Sequence, residues 1–191
     1  MKSQRPGRVR IVAGSMRGRR IAVPEAPGLR PTSQMVREAV FDVLGPVEGL
    51  TVLDLFAGTG ALGLEAISRG AQLCVFVETD VAVARTLRRN ILDMGCGDLC
   101  RVIVSGYREA ARRLVERGET FDLLFVDPPY RMLPEVEVAL TPLISALVSG
   151  DGLVVIEGAR GYRTTHVGLV VFERDYGDTR ITMVKAKRSD S

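Results

Sequence analysis

The sequence predicts an α/β fold: a mostly parallel sheet with helices on both faces, closed at its C-terminal edge by an antiparallel hairpin. Three observations carry this. Apolar runs of strand length alternate with helical patterns from residue 51 to residue 157, the signature of a parallel sheet covered on both sides. The first run, ending Val52-Leu53-Asp54, turns through Gly58, Gly60 and Gly63 into an alanine- and leucine-rich segment. The last two runs, 167–173 and 179–186, are joined by the short Tyr176-Gly177-Asp178 connection and can pair only as a hairpin.

Taken in order, Val9, Ile11 and Val12, a glycine-bounded turn at 14–18, and Ile21 and Val23 read as a small β-hairpin. Pro24 to Pro31 reads as a linker. The next helix is capped by Thr32 or Ser33, carries Val36, Val40, Val43 and Leu44 at helical spacing, and stops at Gly45-Pro46. Arg37 and Phe41 lie one turn apart on a neighbouring face. The main domain then reads as strand 51–55, helix 60–69, strand 73–78, helix 80–93, strand 101–104, helix 107–117, strand 121–126, helix 134–148 and strand 152–157, before the closing hairpin. The expected organisation is a basic hairpin arm and linker over residues 1–30, followed by one domain over 31–191.

With 191 residues, 46% of them hydrophobic, the chain can bury one sizeable core. No apolar run approaches the roughly 20 residues that span a bilayer, so the expectation is a cytoplasmic protein, without membrane contact and monomeric. Cys74, Cys96, Cys100 and the lone His166 assemble neither a disulfide framework nor a usual zinc site, and no metal is expected.

Charge is uneven along the chain. Lys2, Arg5, Arg8, Arg10, Arg17, Arg19 and Arg20 precede the first acid, Glu25, whereas the rest of the chain has 19 bases against 23 acids. A basic segment on a mildly acidic body is the electrostatic footprint of a nucleic-acid binder, and arginine suits bidentate phosphate contact. Arg8, Arg10, Arg17, Arg19 and Arg20 are therefore candidate nucleic-acid contacts.

The turn after Asp54 matches G-x-G-x-x-G, which alone would fit a dinucleotide enzyme. Glycine lets the backbone approach a ligand closely, and the helix start offers unpaired N–H groups. A carboxylate at the strand mouth suits a ligand carrying an ammonium and a sulfonium, and suits a pyrophosphate poorly. That points to S-adenosylmethionine, with Asp54, Phe56, Gly58 and Gly60 at the turn. Glu78, at the next strand end, is placed to accept from both ribose hydroxyls. Ser105, Gly106 and Tyr107 should flank the adenine.

Phe121 to Val126 delivers Asp127-Pro128-Pro129-Tyr130 to the same sheet edge. Two prolines stiffen the turn and hold the Pro128 carbonyl outward. That carbonyl and the Asp127 carboxylate can accept from one N–H₂ group. An amine conjugated to a base ring is a poor nucleophile, and two acceptors favouring a pyramidal nitrogen localise its lone pair toward a methyl donor. Tyr130 offers a face on which an extruded base stacks.

With Asp54 and the glycine turn, this tetrapeptide makes the chain resemble the class I, Rossmann-like methyltransferases, whose sheet of seven strands is mostly parallel and ends in an antiparallel hairpin. Asp127-Pro128-Pro129-Tyr130 resembles the (N/D)-P-P-(Y/F/W) signature of enzymes that methylate exocyclic amines. Arg10 to Gly14, Arg17-Gly18-Arg19, Leu29 to Ser33 with Val36-Arg37-Glu38-Ala39 and Phe41, and Asp54 to Ala66 with Ser68 to Ala71 look like the bacterial 16S ribosomal RNA guanine-N2 methyltransferase family, RsmD. The resemblance implies an RNA-binding transferase that methylates the N2 amine of one guanine in 16S rRNA, within the small ribosomal subunit or its assembly intermediates. It implies Asp127 and Pro128 at the amine, Pro129 in the same turn, Tyr130 on the base, Glu78 on the ribose and Asp54 near the methionine end. Thr32, Arg30 and Arg37 would sit close to the cofactor or the RNA at the catalytic face. Competing readings are a DNA adenine-N6 methyltransferase, which usually adds a recognition domain this chain has no room for, and a glutamine methyltransferase, which typically has Asn at the Asp127 position. A non-catalytic nucleotide-binding module and a dehydrogenase stand as alternatives of a different class.

Overall fold

The computed structural model describes residues 7–24, 32–165 and 167–186. Most of the expected 24–31 linker, Arg30 included, lies outside these, as does His166. A seven-stranded sheet is ordered β5-β4-β3-β6-β7-β9-β8. Its strands are β3 (Thr51–Asp54), β4 (Leu73–Glu78), β5 (Cys100–Val104), β6 (Phe121–Val126), β7 (Val148–Ala159), β8 (Leu169–Tyr176) and β9 (Thr179–Lys185). β3 to β7 run parallel; β9 is antiparallel to β7 and to β8, and Tyr176 pairs with Thr179 across the closing turn. This is the predicted class I methyltransferase architecture. β7 starts four residues earlier than expected, because Val148 pairs with Phe121 before a bulge restores the register at Leu123–Leu153.

Strand side chains alternate between faces, and two cores result. Val52, Phe76, Leu123, Phe125 and Val155 face α1 (Gln34–Leu44), α2 (Ala61–Ser68) and α3 (Val81–Met94); Leu53, Val75, Leu124 and Val154 face α4 (Tyr107–Glu116) and α5 (Leu133–Leu147). Ser33, not Thr32, caps α1 by accepting from Val36 N. The buried stripe of α1 is Val36, Arg37, Val40 and Phe41; Val43, expected inside, is exposed. Gly63 allows α2 to lie on β4, since a Cβ there would stand 2.3 Å from the Phe76 ring.

β1 (Gly7–Arg10) and β2 (Arg20–Val23) form the small N-terminal hairpin, which is fastened to the body. Ile11 and Ile21 are buried in the first core. Glu65, wholly buried, accepts from Val12 N at 2.8 Å and Ala13 N at 2.9 Å, and Asn90 bonds both main-chain groups of Ala22 while donating to the Thr59 carbonyl. Gly14 comes so close to the Ser68 carbonyl that no side chain fits there. Among the described residues no helix is long and apolar enough to cross a membrane.

Candidate active site

Strand order reverses between β3 and β6, where open α/β sheets place their ligands beyond the carboxyl ends of the strands. A cavity of about 1060 Å³ opens there, and Asp54, Glu78, Asp127, Tyr130 and Glu157 are among its lining residues. Phe56, Gly58, Gly106, Thr32, Pro128 and Pro129 also line it, so residues far apart in sequence meet as expected.

The alternation that builds the core also aims the acids. Asp54 follows Val52, Asp127 follows Phe125, and Glu157 follows Val155, all on the face covered by α1 to α3. Three adjacent parallel strands, β3, β6 and β7, thus each carry a carboxyl group at or near the carboxyl end, directed to the same face. Asp54 is 1% exposed; one oxygen accepts from Gly63 N at 3.3 Å and Oδ1 has no partner. Burial, then the neighbouring Asp127 charge, pushes its pKa up to about 7. Burial likewise raises Asp127 to about 6, against the opposing hydrogen bond from Thr32 Oγ1 at 2.7 Å. Glu157 is 8% exposed and raised to about 9 by burial first and by Asp127 second, which leaves it protonated at neutral pH.

Glu78 is placed as expected and does more than predicted. Its two oxygens accept from Gly58 N at 2.9 Å and Asp80 N at 2.8 Å, holding the glycine turn against the next loop. Each oxygen keeps a further lone pair for a ligand hydroxyl. Phe56 and Tyr107 pack ring to ring, with centroids 5.1 Å apart, in the cavity wall. Tyr130 is 40% exposed, and its hydroxyl meets Thr179 Oγ1 at 2.7 Å, which fixes the ring beside the Asp127 turn.

Three expectations need correction. Gly60 does not line the cavity: at φ 87° its Cα faces Leu87, which a Cβ would meet at 2.5 Å, so it serves the packing of α3 on the turn. Arg37 is 1% exposed; its guanidinium donates to the Thr32 carbonyl at 2.5 Å and the Arg10 carbonyl at 2.8 Å, leaving none of it for RNA. Arg19, though exposed, donates to the Met94 and Asp93 carbonyls at the end of α3. Arg8, Arg10, Arg17 and Arg20 are exposed on the hairpin. Sequence reasoning missed Glu157, Glu65 and Asn90. For the two acids a signal existed: Glu157 closes the apolar run Val154-Val155-Ile156, and Glu65 is the one charged residue of a helix buried on every side.

The class that this fold and this site define is the Rossmann-like, class I methyltransferases. A family model described as conserved hypothetical protein 95 matches residues 9–185. The chain belongs to this family, that of the bacterial ribosomal RNA small subunit methyltransferase D proteins. It is 44% identical over 126 residues to the Escherichia coli protein named ribosomal RNA small subunit methyltransferase D, covering 65% of this chain and 62% of that one. The match therefore spans less than two thirds of that relative. To YlbH of Bacillus subtilis it is 32% identical over 185 residues, 94% of this chain and 100% of YlbH. The solved structure of yhhF from Escherichia coli superposes with a TM-score of 0.81 at 32% identity, over 96% of this chain and 100% of that one. A solved Thermus protein gives 0.81 at 33% identity, over 93% and 99%. A Salinibacter ruber RNA methyltransferase solved with S-adenosylhomocysteine shares the fold at 20% identity and a TM-score of 0.65, over 85% of this chain and 96% of that one.

Proposed function

We propose that the protein transfers a methyl group from S-adenosylmethionine to the exocyclic N2 amine of one guanine in 16S ribosomal RNA, acting on the small subunit or its assembly intermediates. The observation that carries this reading is that the Asp127-Pro128 edge and Asp54 line one cavity. The residues present suit the cofactor. Asp54 Oδ1 is buried without a partner, and a carboxylate poised near neutrality gains its charge when a cation sits beside it. Glu78 has lone pairs free for a ribose, and the Phe56–Tyr107 pair offers an aromatic wall for an adenine. When bound, S-adenosylmethionine supplies an electrophilic methyl group on a sulfonium.

The chain's own part is positioning. Asp127 Oδ2 is engaged by Thr32, which turns Oδ1 and the Pro128 carbonyl into the two acceptors for the amine. Asp127 is mostly ionised at neutral pH and accepts only. Two acceptors on one N–H₂ draw its nitrogen toward a pyramidal geometry and its lone pair toward the methyl donor. Tyr130, held by Thr179, stacks the extruded base. The exposed arginines of the hairpin hold phosphates, a contact that positions without reading sequence.

The deciding experiment is to incubate the protein with methyl-labelled S-adenosylmethionine and small subunits from a strain lacking this gene, then digest the rRNA and identify the labelled nucleoside. N2-methylguanosine supports the proposal; N6-methyladenosine, or label only in protein, overturns it.

A further inference from the structure

Glu157 is left over by the mechanism above. It lines the same cavity, is nearly buried, and has one oxygen, Oε2, with no hydrogen-bond partner. Native structures seldom leave such a group unpaired, because its lost hydration is then not replaced. Its place in the sheet is specific. Val126 and Ile156 are register partners on β6 and β7, so Asp127, the first residue past β6, and Glu157, still within β7, follow side by side, with the strands about 4.8 Å apart. The Thr32 and Tyr130 side chains are neighbours of the Glu157 carboxyl.

Two neighbouring acceptors fit a base edge with two neighbouring donors. Guanine has one: its N2 amine is flanked by N1–H. The reactive amines of adenine and cytosine are instead flanked by an unprotonated ring nitrogen, whose lone pair would face the acceptor. Resting on the guanine-N2 reading, we propose that Glu157 is a specificity residue whose Oε2 accepts from guanine N1–H while Asp127 and the Pro128 carbonyl hold the N2 amine. A neutral carboxyl serves, since its carbonyl oxygen still accepts.

The test uses small subunits reconstituted with rRNA ligated around a synthetic segment that carries, at the modified position, either guanine or 2-aminopurine, which keeps the N2 amine but lacks N1–H. Methylation efficiency is measured for the parent, Glu157→Gln and Glu157→Leu, with S-adenosylhomocysteine affinity as the control on folding. The parent should prefer guanine by about 10- to 100-fold, the range a missing hydrogen bond to a buried polar group produces. Glu157→Gln, which keeps an acceptor, should retain that preference. Glu157→Leu should lose it, falling on guanine while holding its rate on 2-aminopurine. Equal losses on both bases in Glu157→Leu, or a preference lost in Glu157→Gln, would overturn the proposal and leave Glu157 as a support for Asp127. A parent inactive on both the guanine and the 2-aminopurine subunits would fail the guanine-N2 reading itself, and this proposal with it.

Discussion

Thr32 Oγ1 donates to Asp127 Oδ2 at 2.7 Å, and the Thr32 carbonyl is gripped by the buried Arg37 guanidinium, which also holds the carbonyl of Arg10. One chain of contacts thus runs from the basic hairpin to the acid assigned to the amine. The hydrogen bond both orients Asp127 and favours its ionised form. Thr32→Val keeps the shape and removes the donor. Turnover at neutral pH is expected to fall about 10- to 30-fold, the worth of a charge-assisted bond. The acidic limb of the rate profile, near pH 6 in the parent, should move to higher pH. An unchanged limb would show that Thr32 does not tune Asp127.

The acid cluster makes the fold sensitive to pH in a definite direction. Asp54, Asp127 and Glu157 all have folded pKa values raised above their ordinary range, to about 7, 6 and 9. Between roughly pH 4 and 9 the folded chain therefore binds more protons than the unfolded one, and these groups lose stability for the protein as pH rises. Asp54→Asn should raise the melting temperature of the cofactor-free protein at pH 8, flatten its decline from pH 5 to 8, and weaken S-adenosylmethionine at least tenfold. A lower melting temperature at pH 8 would contradict the assignment of Asp54 as a destabilising, ligand-directed group.

Glu78 combines two duties, so its removal should show in two readouts. Glu78→Ala is expected to weaken S-adenosylmethionine by roughly 1 to 3 kcal/mol, the loss when hydrogen bonds to a charged group go. It should also lower the melting temperature, because Gly58 N and Asp80 N lose their acceptor. Calorimetric titration and thermal unfolding measure the two separately; unchanged cofactor affinity would confine Glu78 to the loop contact.

The hairpin arginines divide by structure. Replacing Arg8, Arg10, Arg17 and Arg20 by alanine, with Arg19 kept on the carbonyls that end α3, should weaken rRNA binding and flatten its salt dependence between about 50 and 200 mM, while cofactor binding is preserved. Parallel salt slopes for parent and variant would place the RNA elsewhere.

Architecture was legible in the sequence because periodicity and turn chemistry agree throughout: each strand from β3 to β9 falls on a predicted run, and Gly177 closes the last hairpin at φ 62°. Motif residues were legible where chemistry restricts the choice, as at Asp54, Glu78 and Asp127. Residues that act through buried polar contacts were not. Arg37 reads in sequence as a charged residue next to the site, and only the packing of α1 shows its guanidinium closed over two carbonyls. Gly60 reads as part of a ligand cradle, yet the Leu87 side chain from α3 is what demands it. Glu157 stands out locally as the acid that closes an apolar run, but its place beside Asp127 follows only from the parallel pairing of β7 with β6, a long-range fact that no local pattern holds.

The most direct test of the account is the single-turnover methylation rate of Asp127→Ala on small subunits, measured beside its affinity for S-adenosylmethionine. If Asp127 orients the amine mainly in the transition state, the rate falls by about 10² or more while cofactor affinity stays within about threefold of the parent. A near-normal rate, or a rate loss matched by an equal loss of cofactor affinity, would contradict it.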